Sequence, residues 1–340
     1  MICMDVKKIK IAIIGAGYWG KNLVRVFYSL RDIVDLKYVC DLDEKKLQYI
    51  KSWYPSVITT TDTKIIFNDS EINAAVIATQ VGLHFSLAKE ALLSGKNVLV
   101  EKPMTETREQ AEELVALADE KNLILMVDHT FLYTGAVREI KNLIKNGEIG
   151  DVNYFDSERI NLGLIQPDVN VIYDLAVHDI SILNYLINEK PTAVSAFGKS
   201  YITKKTEELA HINLEYASGF TAHIHVSWLS PVKLRKTLIG GSKKMILYND
   251  IEPSEKIKIY DKNVSMDYET ETPQSPIYRS GDISIPRIDN IEALEFEANH
   301  FINCINRKER PLSDGKSGLR VIEILEACNR SIKEERKINL

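Results

Sequence analysis

A chain of 340 residues exceeds the size at which a single hydrophobic core is expected, so two domains are the natural reading. Hydrophobic residues make up 45% and charged residues 27%, the balance of an ordinary globular protein. The formal net charge of −5 leaves no basic footprint, so a nucleic-acid partner is not expected.

No segment approaches the ~18 apolar residues of a membrane span, so no membrane partner is expected either. Residues 1–10 lead straight into a strand-like run, without the apolar stretch and small-residue cleavage site of a secretion signal. Cys3, Cys40, Cys304 and Cys328 are scattered, with neither metal-ligand spacing nor the density of a disulfide framework. A cytoplasmic protein without a metal site is the expectation.

The first 130 residues alternate strand and helix signals. Residues 10–14 form an apolar strand, and 18–30 carry helical spacing through Leu23, Val26, Phe27 and Leu30. A second strand over 34–40 ends at Asp41, and Asp43 is placed to cap a helix over 44–50. Runs 74–78 and 97–100 read as buried strands separated by a helix over 84–93. A helix over 106–120 then leads to a strand over 123–127. This alternation predicts a doubly wound, mostly parallel sheet with right-handed crossovers, over residues 1–128.

Beyond about residue 150 the rhythm changes. Strand-like runs at 151–160, 193–201, 210–216, 220–228, 233–240 and 243–248 are separated by turns such as Ala217-Ser218-Gly219 and Gly240-Gly241-Ser242. Ile212, Leu214 and Tyr216 alternate with polar residues, as do Phe220, Ala222, Ile224, Val226 and Trp228, which predicts a sheet with two different faces. A helix over 174–186 precedes most of these strands, helices over 291–306 and 315–334 close the chain, and 270–286 reads as a long loop. The expected second domain, 129–340, is therefore α/β with a large, mostly antiparallel open sheet. Its last helix is expected to pack back on the first domain.

Gly15-Ala16-Gly17-Tyr18-Trp19-Gly20 follows the first strand and opens the first helix. That is the setting of a dinucleotide fingerprint, with a tight turn and close backbone approach to a pyrophosphate. Asp41 ends the second strand about 20 residues on, where an acidic side chain takes the ribose 2′-hydroxyl. A 2′-phosphate would meet a carboxylate there, so NAD is expected over NADP, although Lys45 and Lys46 lie a helical turn further on. Thr79 and His84 flank the turn after the strand at 74–78, where His84 reads either as a cap or as a cofactor neighbour. His129, in Asp128-His129-Thr130, reads either as a cofactor neighbour or as a stitch between domains.

Lys102, in Glu101-Lys102-Pro103, projects from the carboxyl end of an inner strand, where ligands of open α/β sheets gather. A partly desolvated ammonium there is usable for proton transfer near neutral pH. Pro103 stops the strand and admits a cis peptide. Asp174 and His178 are four positions apart and share a helix face, a carboxylate beside an imidazole as a general acid/base needs. The plainer reading is a helix-start Asp and an interior His. His223 and His225 share a strand face, but without a third ligand a sheet-face role outweighs a metal. His300 reads as structural. Arg159 and Arg235, on strands, are open to a diphosphate contact or to ion pairing.

With the glycine fingerprint, the run Gly95 to Met104 (GKNVLVEKPM), Asp174-x-x-x-His178, and Asp314-Gly315 before the last helix, the chain resembles the Gfo/Idh/MocA oxidoreductases over nearly its whole length. The resemblance implies a Rossmann domain joined to an α/β domain whose sheet serves oligomer formation, as a homodimer or homotetramer. It implies a catalytic set of Lys102, Asp174 and His178, with the proton acceptor left open between Lys102 and His178. Cofactor contacts are expected from Gly15, Gly17, Tyr18, Trp19, Gly20, Asp41, Thr79, His84, Glu101 and Lys102. Substrate contacts are expected from Lys102, Asn161, Asn170, Tyr173, Asp174 and His178. Gln80 stands where many members have proline, and Ala176 where glycine is frequent; neither change removes a chemical group. The stretches Gly17 to Arg25 and Asn161 to Asp174 look most like the branch acting on nucleotide-linked sugars, which oxidises the 3-hydroxyl of a UDP-N-acetylhexosamine or its uronate, or reduces a 3-keto sugar. An inositol or free-sugar dehydrogenase, and a non-catalytic cofactor sensor, are the rival expectations.

Overall fold

Ile11, Ala12 and Ile13 have no exposed surface, as a strand paired on both edges and covered on both faces requires. They lie in β1 (Ile9–Ile14) of a computed structural model that describes residues 8–166, 169–266 and 276–340. The chain divides into two units. One runs through Tyr133 and includes Ile291–Ile322; the other holds Thr134–Asn290 and Glu323–Leu340.

In the first unit β1 is followed by α1 (Tyr18–Ser29), β2 (Val34–Cys40), α2 (Glu44–Trp53), β3 (Ile58–Thr60), α3 (Thr63–Asn68), β4 (Ala74–Ile77), α4 (Val81–Leu93), β5 (Asn97–Glu101), α5 (Arg108–Lys121) and β6 (Leu125–Asp128). The six strands pair in parallel in the order β3-β2-β1-β4-β5-β6. The order reverses between β1 and β4, and that switch point is where such sheets bind ligands. Strand β3 and helix α3 fill a stretch for which the sequence pattern predicts no element. Asp43 caps α2 as expected, its side chain accepting the Lys45 N–H.

The second unit contains α6 (Gly135–Lys145), β7 (Val152–Leu162), a π-helical turn at Ile172–Ala176 that runs into α7 (Val177–Leu186), and then β8 (Pro191–Lys199), β9 (Leu209–Tyr216), β10 (Thr221–Ser227), β11 (Leu229–Gly241), β12 (Met245–Asn249), β13 (Ile257–Met266) and β14 (Pro276–Ser284). With β15 (Ile338–Asn339) these make a nine-stranded sheet, β14-β13-β12-β11-β7-β10-β9-β8-β15, antiparallel except where β10 meets β7. The expected long loop over 270–286 is corrected, because 276–284 is a paired strand; residues 270–275 of it lie outside the described residues.

The domain boundary also differs from expectation. It falls after Tyr133, and α8 (Ala293–Arg307) with the start of α9 (Gly315–Glu334) belongs to the first unit. Leu294, Ala298, Phe301 and Ile302 bury one face of α8, and Val127 donates its N–H to the Ser313 carbonyl at 2.8 Å.

Candidate active site

The glycine turn is built by close backbone approach. Gly15 has φ +101°, and a Cβ there would come within 2.3 Å of the Ala78 carbonyl oxygen. A Cβ on Gly20 would come within 2.0 Å of the Gly15 oxygen, whereas one on Gly17 would meet nothing within 4 Å. Gly15 and Gly20 thus pack the turn onto the sheet, and Gly17 leaves its outer side open. Helix α1 starts there with no acidic residue in its first turn, so the positive helix end is not neutralised.

Beyond the turn lies an open cleft of ≈ 450 Å³ lined by Ala16, Gly17, Tyr18, Lys21, Asn22 and Lys46. The Asp41 carboxylate accepts the N–H groups of Ala16 (2.7 Å) and Asp43 (2.9 Å), and Lys46 Nζ lies 3.3 Å from both its oxygens. Burial works to raise its pKa, but these donors outweigh it and hold the group below the usual carboxylate range. A glycine cradle, a bare helix N-terminus and a fixed carboxylate together fit the pyrophosphate and ribose of a dinucleotide.

Two expected cofactor contacts are redirected. His84 is 1% exposed, and its Nδ1 and Nε2 lie 2.8 Å and 3.1 Å from the carbonyls of Pro103 and Thr79. It therefore joins the ends of β4 and β5 instead of reaching a cofactor, and Gln80 is the N-cap of α4. Gln80 has φ −69°, within the range proline would impose, so the departure there leaves the backbone path unchanged. The Trp19 indole N–H is committed to Asp128 Oδ2 at 2.8 Å, so its ring is turned to the sheet edge. Tyr18, by contrast, is 89% exposed beside the cleft.

Lys102 is half-buried just past β5, and the Lys102–Pro103 peptide is cis. Its N–H donates to Glu101 Oε2 at 2.9 Å. Glu101 is the register partner of Asp128, and Glu297 from α8 faces Asp128 from within the unit. Burial first and Asp128 second push the Glu101 and Glu297 carboxyls well above the usual range. His129 is 2% exposed, and burial pushes its imidazole down to about 4, so it is a neutral interior residue. Sequence reasoning did not single out Glu297. The available signal was a charged residue in the apolar stripe of Leu294, Ala298 and Phe301.

In the second unit Asp174 and His178 are half-buried on the helix that begins with the π turn. The Trp228 indole N–H donates to Asp174 Oδ2 at 3.0 Å. Gly163 lets the chain lie flat beside Trp228, since a Cβ there would come within 2.8 Å of the indole and 3.1 Å of the Asn161 amide nitrogen. Asn161 is therefore next to the group that fixes Asp174. Asn170 is corrected from a sugar contact to a structural residue: its Nδ2 donates to Glu207 and Asn329, both at 2.9 Å, and its Oδ1 accepts the Tyr173 N–H. Tyr173 and Ala176 are buried within the turn.

Arg159 is 4% exposed and grips Asp179, the residue after His178, through Nε (2.7 Å) and an η nitrogen (3.2 Å). Ser157 adds a third donor to Asp179 at 2.8 Å. Arg235 pairs with Asp250 at 3.2 Å, so both strand arginines form ion pairs. His211 and His225 are register partners whose rings stack 4.2 Å apart, with His223 on Asp156 and His225 near Glu158. His300 accepts the Leu312 N–H.

A dinucleotide cradle on a doubly wound sheet, with a lysine at the neighbouring strand end, defines a nicotinamide-nucleotide-dependent oxidoreductase. A family model described as the oxidoreductase family with an NAD-binding Rossmann fold matches residues 9–129, and the GFO/IDH/MocA C-terminal domain matches residues 137–247. The chain belongs to the Gfo/Idh/MocA oxidoreductase family, and its first unit is an NAD-binding Rossmann domain.

UDP-N-acetylglucosamine 3-dehydrogenase of Acidithiobacillus ferrooxidans is 26% identical over 74% of this chain and 76% of its own. The scyllo-inositol 2-dehydrogenase (NADP(+)) of Bacillus subtilis is 25% identical over 98% of this chain and 97% of its own. Levoglucosan dehydrogenase, solved in complex with NADH and L-sorbose, has a TM-score of 0.84 at 19% identity, with 98% of each chain covered. That likeness is one of fold.

Proposed function

We propose that this chain oxidises a secondary hydroxyl of a sugar reversibly with NAD, and that the substrate group is the 3-hydroxyl of a UDP-N-acetylhexosamine or its uronate. The observation that carries this reading is Lys102, held at the carboxyl end of β5 in the same unit as the glycine turn that fits a dinucleotide. The bound nicotinamide supplies the hydride acceptor or donor. Lys102 either takes the hydroxyl proton or hydrogen-bonds the hydroxyl while His178 takes it, and Asp174, fixed by Trp228, orients His178. Asn161 and Tyr173 are the proposed sugar contacts. The second unit's sheet is the proposed surface for assembly into a homodimer or homotetramer. Its edge strand β14 is exposed throughout.

The match to UDP-N-acetylglucosamine 3-dehydrogenase supports the substrate class. A second reading, an inositol dehydrogenase, draws on the nearly full-length match to the scyllo-inositol enzyme. The experiment is NADH formation with NAD and, in parallel, UDP-N-acetylglucosamine, myo-inositol and glucose. Turnover confined to the nucleotide sugar is expected. Turnover with inositol alone overturns the substrate in favour of the second reading. Cofactor binding with no turnover on any sugar turns the chain into a cofactor sensor.

A further inference from the structure

Three carboxyl groups meet at the carboxyl ends of β5 and β6, and the proposed reaction uses none of them for proton transfer. Glu101 and Asp128 are register partners on adjacent strands, and Glu297 reaches Asp128 from α8. Glu297 is 0% exposed and Asp128 2%. Asp128 accepts the Trp19 indole N–H at 2.8 Å and the Thr130 hydroxyl. The Thr130 hydroxyl, which donates to Asp128, also faces Glu297, but neither Glu297 oxygen finds a donor of good hydrogen-bond geometry among the described residues. The other titratable groups facing the cluster are Lys102, beside Glu101; His129, beside Asp128; and Tyr133, whose hydroxyl is engaged with Ser313 at 2.8 Å. One ammonium cannot neutralise three carboxylates, and two buried carboxyls in contact do not both ionise. A protonated carboxyl is itself a donor, and the two oxygens of Asp128 have lone pairs for more than two hydrogen bonds.

We propose that Glu297 is a positioning residue that carries a proton and donates it in a hydrogen bond to Asp128, and that this bond holds Asp128 on the Trp19 indole and so sets the cofactor-binding turn. Glu297 touches neither substrate nor reacting atoms. It acts through Asp128 on α1, the helix that opens at the glycine turn. The inference rests on the dinucleotide site of the first unit and not on the choice of sugar, so its test reads cofactor binding alone.

The test is NADH affinity of the full chain, read by energy transfer from tryptophan to bound NADH, for Glu297→Gln and Glu297→Ala. An infrared difference spectrum of the unsubstituted protein against Glu297→Gln accompanies it. Glutamine is neutral and keeps an N–H for Asp128, so its affinity is expected to stay within about threefold of the unsubstituted protein. Alanine removes the donor, and affinity is expected to fall ~10-fold or more. The difference spectrum is expected to contain the C=O stretch of a protonated carboxyl. Overturning results are a Glu297→Gln protein that does not fold or that binds as poorly as Glu297→Ala, an alanine variant with unchanged affinity, or a spectrum without the protonated band. If Glu297→Ala does not fold, the glutamine affinity and the infrared band still decide.

Discussion

The Asp41 carboxylate is held by two backbone N–H groups and faced by Lys46, so it is fixed in place and ionised before any ligand arrives. A ribose 2′-hydroxyl can donate to it, whereas a 2′-phosphate would meet its charge. Asp41→Ala is expected to weaken NAD by ~10-fold, the loss of one charge-assisted hydrogen bond, and to release Lys46 for the phosphate of NADP. Fluorescence titration with both cofactors checks this, and an unchanged NAD/NADP ratio contradicts it. Residue types at the site were legible in the sequence, but side-chain direction was not. Trp19 lies in the glycine turn and His84 follows the strand at 74–78, yet each spends its polar atoms on the protein, His84 on Pro103 and Thr79 and Trp19 on Asp128. Asn170 likewise looked like a sugar ligand until its three hydrogen bonds were placed. Glu297 shows in the sequence only as a charged residue in an apolar stripe; its partner Asp128 is far away in the chain, and no local period encodes that contact.

Among the elements, the helix carrying Asp174 and His178 depends most on a buried charge. Asp179 follows His178 directly and is gripped by Arg159 and Ser157 on β7. Removing one partner leaves the other charge buried and unpaired, which typically costs ~3–5 kcal/mol. Asp179→Ala is therefore expected to lose about that much in chemical denaturation, while the double change Arg159→Met with Asp179→Leu recovers most of it, because an apolar pair of similar volume avoids the desolvation cost. A single variant as stable as the parent contradicts the account. The long, half-buried strands were readable from their alternation, because one face of each must be buried. Strand β14 was not, since all its residues are exposed and it contains a Pro and a Gly, so no burial pattern marked it. The π turn at Ile172–Ala176 escaped as well, because four-residue spacing looks alike in α- and π-helical backbone.

At the scale of the whole molecule the central proposal is that Lys102, His178 and Asp174 serve one turnover. The α/β alternation and its change of rhythm near residue 150 made both units legible, whereas the return of Ile291–Ile322 to the first unit was not. That return places Glu297 against Asp128, and with it the proton proposed to hold Asp128. Residues that act together on one step lose activity together, so their single losses do not multiply. The most direct measurement is kcat, with NADH affinity as the control, for Lys102→Ala, His178→Ala and the double variant on the sugar that the substrate panel selects. Each single variant is expected to lose ~100- to 10,000-fold in kcat with NADH affinity little changed, and the double variant to be about as slow as the slower single one. Near-full turnover in either single variant, or losses that multiply in the double, would contradict the account.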